Sequence, residues 1–157
     1  MDRPPAIPGL RRAEPKDVPR IRALVRAAYG KFVPRIGREP KPMAADYASA
    51  VVHHQVWLVE AGGEVSAVLE LVPFDDHLLV ENIAIMPAAQ GASLGSMLMA
   101  FAEAEARRQG FAEIRLYTNE RFAENLPFYQ HLGYRETHRE PLKGTHLVHM
   151  AKRIDGG

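Results

Sequence analysis

The 157-residue chain contains no cysteine. That absence excludes a disulfide scaffold, a thiolate nucleophile and any cysteine-held zinc or iron–sulfur centre. Long apolar runs are missing as well. The opening MDRPPAIPGLRR has no stretch of signal-peptide length, and nothing later approaches the roughly 18 uninterrupted apolar residues of a membrane span. The expected setting is a reduced, cytoplasmic compartment without a membrane partner. Internal repeats and low-complexity tracts are also absent. What is present is ordinary: 46% hydrophobic and 25% charged residues suit one globular domain over residues 1–157, with residues 1–8 a flexible N-terminus. A chain of this length buries about two-thirds of its unfolded surface and needs no cross-link to hold a core.

Lys and Arg are wholly absent from residues 43–106, which hold nine acids. Residues 1–42 hold eleven Lys or Arg against four acids, so a net charge of +1 hides strong segregation. The basic block could be a nucleic-acid footprint, but its charges alternate with proline and apolar residues rather than clustering with aromatics. A solvated helix face and loop is the simpler reading, and nucleic acid is not the expected partner. The acidic middle would favour a cationic ligand by electrostatic attraction.

Apolar spacing gives the order of elements. Leu10 to Ala13 reads as a short strand, and Val18, Ile21, Leu24, Val25 and Ala28 follow the 3.6 period of an amphipathic helix ending near Gly30. Prolines 34, 40 and 42 mark a loop, after which a helix is expected over 44–52. The period becomes two from Gln55 to Ala61, turns at Gly62-Gly63 and returns from Glu64 to Phe74. Further strands are expected over 77–86, 113–118, 134–138 and 145–153. The expected helices run from Leu94 to Gly110, with Leu94, Met97, Leu98, Phe101 and Ala102 on one face, and from Glu124 to Leu132. The predicted fold class is α/β (α+β): a mixed, largely antiparallel sheet of six to seven strands with helices on both faces.

The segment Gln90, Gly91, Ala92, Ser93, Leu94, Gly95, Ser96 opens directly into a helix. Such a turn aims free backbone N–H groups at one spot, backed by the helix dipole, and can bind phosphate without a cationic side chain. An ordinary glycine-containing loop is the alternative. Neither a Gly-Lys-Ser/Thr phosphate loop nor a Gly-x-Gly-x-x-Gly dinucleotide fingerprint is present. The seven histidines show no His-Glu-x-x-His or other metal spacing, so no catalytic metal is expected.

Four segments spanning roughly 56–136 together resemble the GNAT superfamily of acetyl-coenzyme A dependent N-acetyltransferases. They are the strand Glu81 to Pro87, the loop Gln90 to Ser96, the strand Ile114 to Asn119, and Asn125-Leu126-Pro127-Phe128-Tyr129-Gln130-His131-Leu132-Gly133-Tyr134. The family's loop reads Gln/Arg-x-x-Gly-x-Gly/Ala. Gln90 and Gly95 match it, and Ser93 replaces the first glycine, a departure that a negative φ would accommodate. The resemblance implies direct transfer of an acetyl group from acetyl-coenzyme A to a primary amine through a ternary complex.

The resemblance also implies roles for residues. Tyr129 takes the place of the acid that protonates the departing sulfur, or else is a core tyrosine. Backbone groups of Ile83, Ala84 and Ile85 would pair with the pantetheine arm like an added strand. Asn119 and Asn125 are alternative pantetheine contacts. Glu81 is the candidate for drawing a proton from the amine, or else a solvated carboxylate. Tyr29, Arg35 and Tyr47 are candidates for the acceptor pocket. A non-catalytic domain that senses acetyl-coenzyme A is the alternative function, and strands near the C-terminus offer an edge through which a homodimer could form.

Overall fold

The alternating strands Gln55–Ala61 (β2) and Glu64–Pro73 (β3) close into a hairpin about Gly62 and Gly63, both at positive φ. A type I′ turn demands that conformation of both central residues. In the computed structural model, which describes residues 6–90 and 93–154, this hairpin seeds a seven-stranded sheet in the order β1-β2-β3-β4-β5-β7-β6. The other strands are β1 (Leu10–Arg12), β4 (Leu78–Ile85), β5 (Glu113–Asn119), β6 (Arg135–Leu142) and β7 (Thr145–Arg153). Every neighbouring pair is antiparallel except β4 and β5, which are linked by a helical crossover. The mixed, largely antiparallel sheet is the predicted fold class. Proline 141 lies in β6, which is an edge strand, where a missing N–H costs no ladder bond.

The helices are α1 (Val18–Tyr29), α2 (Val33–Ile36), α3 (Tyr47–His53), α4 (Leu94–Arg108) and α5 (Asn125–His131). Two cores flank the sheet. On one face α1 and α3 bury Ile21, Leu24, Val25 and Tyr47 against Leu58, Val68 and Ala84. On the other, α4 and α5 bury Leu98, Met99, Ala102 and Tyr129 against Leu69, Leu71, Val80 and Leu116. Met99 and Ala106 are buried where Met97 was expected, because the buried face of α4 follows Leu98, Met99, Ala102, Glu103 and Ala106 at i, i+1, i+4, i+5 and i+8.

The segment expected to be an irregular loop instead holds a 3₁₀ turn (Gly30–Phe32), α2 and a second 3₁₀ turn (Lys41–Ala44). Proline at the first positions of a helical turn costs no hydrogen bond, so Pro34 and Pro42 start turns here rather than forbid them. Helix α3 begins at Tyr47 rather than 44, because the Asp46 carboxylate caps it by accepting from the Ser49 N–H at 3.1 Å. Strand β6 runs on to Leu142, past the expected end at 138.

The fold pairs much of the basic N-terminal block with acids. Arg11 and Arg20 converge on Asp17 and Glu60, with Arg20 Nη2 2.6 Å from Asp17 Oδ1 and Arg11 Nη1 2.9 Å from Asp17 Oδ2. Arg26 pairs with Glu39, and Lys31 and Arg35 pair with Glu124. Among the described residues no helix is long and apolar enough to cross a membrane.

Candidate active site

The register of β3 against β4 shifts where Glu70 faces Asn82 but Leu71 faces Val80, which leaves Glu81 as the extra residue of a β-bulge. A bulge reverses which face the following residues present. Leu78 and Val80 accordingly pack in the α4 core, whereas Ala84 packs in the α1 core. Ile83 and Ile85 turn toward the α4 core instead. Period-two alternation continues through the bulge in the sequence, so periodicity alone does not show it.

Just past that point β4 and β5 part. Their parallel pairing runs only from Leu78–Ile114 to Val80–Leu116, and no ladder joins residues 81–85 to β5. The parting opens a cleft of about 880 Å³. Its walls include Glu81 and Ile83 to Ile85 from β4, Tyr117 from β5, Ser93, Gly95 and Ser96 from the start of α4, and Asn125 and Tyr129 from α5. The sequence had placed these residues in separate segments; the splayed strands bring them together.

The exposed edge of β4 is marked by its carbonyls. The Ile83 carbonyl accepts from the Tyr29 hydroxyl at 3.2 Å, and the Ile85 carbonyl from Gln90 Nε2 at 3.0 Å. Both groups of one strand residue point the same way, so Ile83 and Ile85 face the cleft rather than β3 with N–H and C=O alike. At the far end, α4 begins with Ser93 as its N-cap, and Met97 N–H to Ser93 C=O at 3.1 Å closes the first turn. The N–H groups of Leu94, Gly95 and Ser96 therefore precede any intrahelical partner. A Cβ on Gly95 would come within 3.3 Å of both Ile85 Cδ1 and Phe128 Cζ, so a side chain here would require those two to give by a few tenths of an ångström.

Ser93 departs from expectation. Its φ is +64°, not negative, which puts a residue with a side chain in the left-handed region that the family's glycine would occupy without strain. Gly91 and Ala92 lie outside the described residues. Lys31, from outside the stretch that lacks Lys and Arg, reaches this end of the cleft from beyond α1, with its ammonium 3.5 Å from Gln90 Oε1 and 3.4 Å from Glu124 Oε2.

Tyr129 is buried at the cleft wall, with the Tyr134 ring 6.1 Å away edge-on. Burial pushes its phenol above the usual value near 10, so the proton stays on at neutral pH. On the same lining the Tyr117 hydroxyl donates to Glu81 Oε1 at 2.9 Å. Burial, then the adjacent Glu81 carboxylate, pushes the Tyr117 phenol up as well, which keeps it the donor in this pair. Sequence reading missed Tyr117; alternation along β5 put it opposite Leu116, but nothing local showed that it would face Glu81.

The asparagines separate by geometry. Asn119 is 2% exposed and spent at both ends: Nδ2 donates to Thr145 Oγ1 at 2.9 Å, and Oδ1 accepts from the Arg121 N–H at 2.9 Å. Asn125 is half-buried and uses Nδ2 toward Thr118 Oγ1 at 3.1 Å, and among the described residues its carbonyl oxygen has no partner.

The three acceptor-pocket candidates also divide. Tyr29 lines the cleft and donates to Asn82 Oδ1 at 2.8 Å. Tyr47, 2% exposed, lies behind the wall; it accepts from Asn82 Nδ2 at 2.9 Å and donates to the Pro42 carbonyl at 2.6 Å. It supports the cleft through Asn82 rather than reaching a ligand, because it has no surface to offer one. Arg35 is not among the lining residues; its guanidinium is 2.6 Å from Glu124 Oε1 and stacks over Phe32. Leu94, counted with the loop, likewise lies outside the lining.

The expected pull on a cationic ligand needs correction. Of the acids in residues 43–106, Glu60, Asp76, Glu103 and Glu105 are ion-paired with arginine or lysine, and Glu70 Oε2 is hydrogen-bonded to His54 Nδ1 at 2.6 Å. Glu81 is the acid of that stretch that lines the cleft. Among the described residues no group of three or more His, Asp or Glu is placed to hold a metal ion.

Comparison with known proteins bears on the family and the fold. The model of the acetyltransferase (GNAT) family matches residues 19–134. An aminoalkylphosphonate N-acetyltransferase from Salmonella typhimurium is 31% identical over 101 residues, a match covering 60% of this chain and 64% of that protein, under two-thirds of its length. Among solved structures, PaiA N-acetyltransferase from Thermoplasma acidophilum in complex with coenzyme A superposes with a TM-score of 0.76 at 16% identity, covering 92% of this chain and 98% of that one. The ribosomal-protein-S18-alanine N-acetyltransferase from Escherichia coli gives 0.71 at 18% identity, covering 93% of each chain. At such identities the structures attest the fold alone.

Proposed function

The chain belongs to the acetyltransferase (GNAT) family, and from that premise we propose that it moves the acetyl group of acetyl-coenzyme A directly to a primary amine, both substrates being bound together. The observation that carries the proposal is the parting of β4 and β5. It leaves a strand edge at Ile83–Ile85, the N–H groups opening α4 at one end and a protonated Tyr129 on the opposite wall, all in one cleft. In that cleft β4 takes the pantetheine arm as an added strand, and the α4 N-terminus with Lys31 takes the pyrophosphate. Asn125, with a free amide oxygen, is the pantetheine contact; Asn119 is a structural residue.

Acetyl-coenzyme A supplies an activated carbonyl on a leaving thiolate. Glu81, held by Tyr117, accepts the proton lost by the amine as its nitrogen bonds to that carbonyl, directly or through one water. Tyr129 gives its proton to the sulfur as the carbon–sulfur bond breaks, then regains one from solvent. The products are the amide and free coenzyme A. No covalent enzyme intermediate is needed, in keeping with a chain that has no cysteine.

Isothermal titration with acetyl-coenzyme A, against dephospho-coenzyme A and ATP, tests the donor site. Thiol release with a panel of amines then tests transfer, in wild type and Tyr129→Phe. Binding that needs the pantetheine arm, with turnover reduced by about 10²-fold or more in Tyr129→Phe, is expected. Binding without turnover for any amine would favour the sensor reading, and a variant equal to wild type at every pH would remove Tyr129 from the mechanism. The relatives' names span a small aminoalkylphosphonate and a protein alanine, so likeness alone leaves the acceptor open.

A further inference from the structure

The acceptor half of the cleft carries cations that acetyl transfer does not require. Arg38, Lys41 and Lys143 line the cleft together with Glu81 and Tyr117. The neighbouring bases Arg26, Lys31 and Arg35 are all ion-paired, to Glu39 or Glu124. Among the described residues, Arg38, Lys41 and Lys143 have no carboxylate within ion-pair distance. Of the carboxylates lining the same cleft, Glu39 and Glu124 are taken by other bases and Glu81 is held by Tyr117, so the three cations lack a direct counter-ion and an entering anion would relieve their mutual repulsion.

The backbone or side chain of each is constrained. Arg38 donates to the carbonyls of Leu142 at 3.3 Å and Lys143 at 3.1 Å, and to Thr145 Oγ1 at 3.4 Å, which clasps the β6–β7 turn against the segment after α2. Lys143 occupies that turn with φ +47°, followed by Gly144 at +83°. Lys41 sits between Pro40 and Pro42, whose rings fix their own φ and limit the wandering of its backbone. Its ammonium lies 5.5 Å from the centroid of the Tyr117 ring, and the hydroxyl of that same ring holds Glu81. A cation and the carboxylate that would receive the amine's proton are thus tied to one aromatic side chain.

We propose that the acceptor is an amine bearing an oxyanion group on a short spacer, the amine lodged at Glu81 and the oxyanion between Lys41 and Lys143. The inference rests on the acetyl-transfer reading and names the substrate class of that site. Phosphate, phosphonate and carboxylate share the required chemistry: oxygens that accept charge-assisted hydrogen bonds from ammonium groups. The same lysines repel a second cationic centre, so diamines are rejected as zwitterionic or anionic amines are selected.

The test uses four matched probes: O-phosphoethanolamine, β-alanine, ethanolamine and 1,3-diaminopropane. Each is followed by ligand-observed saturation-transfer NMR for binding and by thiol release with acetyl-coenzyme A for turnover. The expected result is kcat/KM at least about tenfold higher for an oxyanion probe than for ethanolamine, carried by KM, with the diamine poorest. The ratio of O-phosphoethanolamine to β-alanine tells phosphate from carboxylate. In the Lys41→Gln, Lys143→Asn double variant the preference over ethanolamine collapses toward unity. Asparagine tolerates the positive φ at 143, and an unchanged melting temperature shows that the fold is intact.

Oxyanion-dependent binding that the double variant abolishes, with no turnover of any probe, would uphold the anion subsite and sink the transfer reading. Ethanolamine or the diamine used as well as the oxyanion probes would overturn the subsite and leave transfer standing. Failure of all four probes to bind or react would overturn the inference, and retained binding of acetyl-coenzyme A would then show that the donor site survives it.

Discussion

The hydroxyl of Tyr117 on β5 donates to Oε1 of Glu81 on β4 over 2.9 Å, across the point where the two strands stop pairing. The contact exists because a β-bulge at Glu81 turns that carboxylate into the opening. Glu81→Gln is expected to lower kcat by about 10²–10³-fold and leave the Kd for acetyl-coenzyme A unchanged. Tyr117→Phe keeps the carboxylate and loses only its positioning bond, so a loss nearer tenfold is expected. Steady-state kinetics with titration of acetyl-coenzyme A checks both, and equal losses in the two variants would contradict the division of roles.

Ser93 holds φ +64° at the entrance to α4, with no capping hydrogen bond from its side chain. Ser93→Gly relieves the left-handed strain and gives back part of the gain as unfolded-state entropy, for a net stabilisation of about 0.5–1 kcal/mol. A thermal melt checks this. A β-branched replacement such as Ser93→Val should lower the melting temperature, and affinity for acetyl-coenzyme A should follow the same order.

The two asparagines should fail in different ways. Asn119→Ala leaves the Arg121 N–H without its acceptor and removes a buried bond to Thr145 Oγ1, and is expected to cost about 2 kcal/mol. Asn125→Ala gives up one half-buried hydrogen bond, so its stability cost stays within about 1 kcal/mol while KM for acetyl-coenzyme A rises several-fold. Denaturant melts paired with kinetics separate them.

Asp17 is fully buried, and the hydrogen bonds from Arg11, then those from the Glu14 N–H and Arg20, hold its carboxyl well below the usual range. A carboxyl depressed in the folded state stabilises above its unfolded value of about 4, and the contribution drains away as pH falls below that toward the folded value. Asp17→Asn is expected to cost about 2–3 kcal/mol at pH 7; the arginine side chains, 32% and 38% exposed, keep it below the loss for a fully buried pair. The difference from wild type should shrink between pH 4 and lower values in urea melts, and a gap independent of pH would refute the assignment.

Local pattern carried much of the architecture. The stripe from Val18 to Ala28 needs only the 3.6 period to become a buried helix face, and the hairpin at Gly62-Gly63 needs only two residues free to take positive φ. These features depend on neighbours within a few residues, and a sequence records them directly. The order of the elements, the mixed sheet and the segments resembling GNAT acetyltransferases follow from the same short-range information.

Tertiary structure decided what the cleft is made of. Periodicity passes through Glu81 without a break, so the bulge emerges only when β3 pairs with β4 and one residue is left over. Tyr117 meets Glu81 from 36 positions away, Lys31 meets Gln90 from 59, and Arg38 clasps the turn at Lys143 from 105. The net charge of residues 43–106 likewise does not describe the cleft, because Glu60, Asp76 and Glu103 are paired with basic residues far along the chain and, of the acids in that stretch, only Glu81 lines the cleft. Charge and hydrogen bonding act through space, so their outcome belongs to the fold, whereas helix and strand periods act along the chain and belong to the sequence.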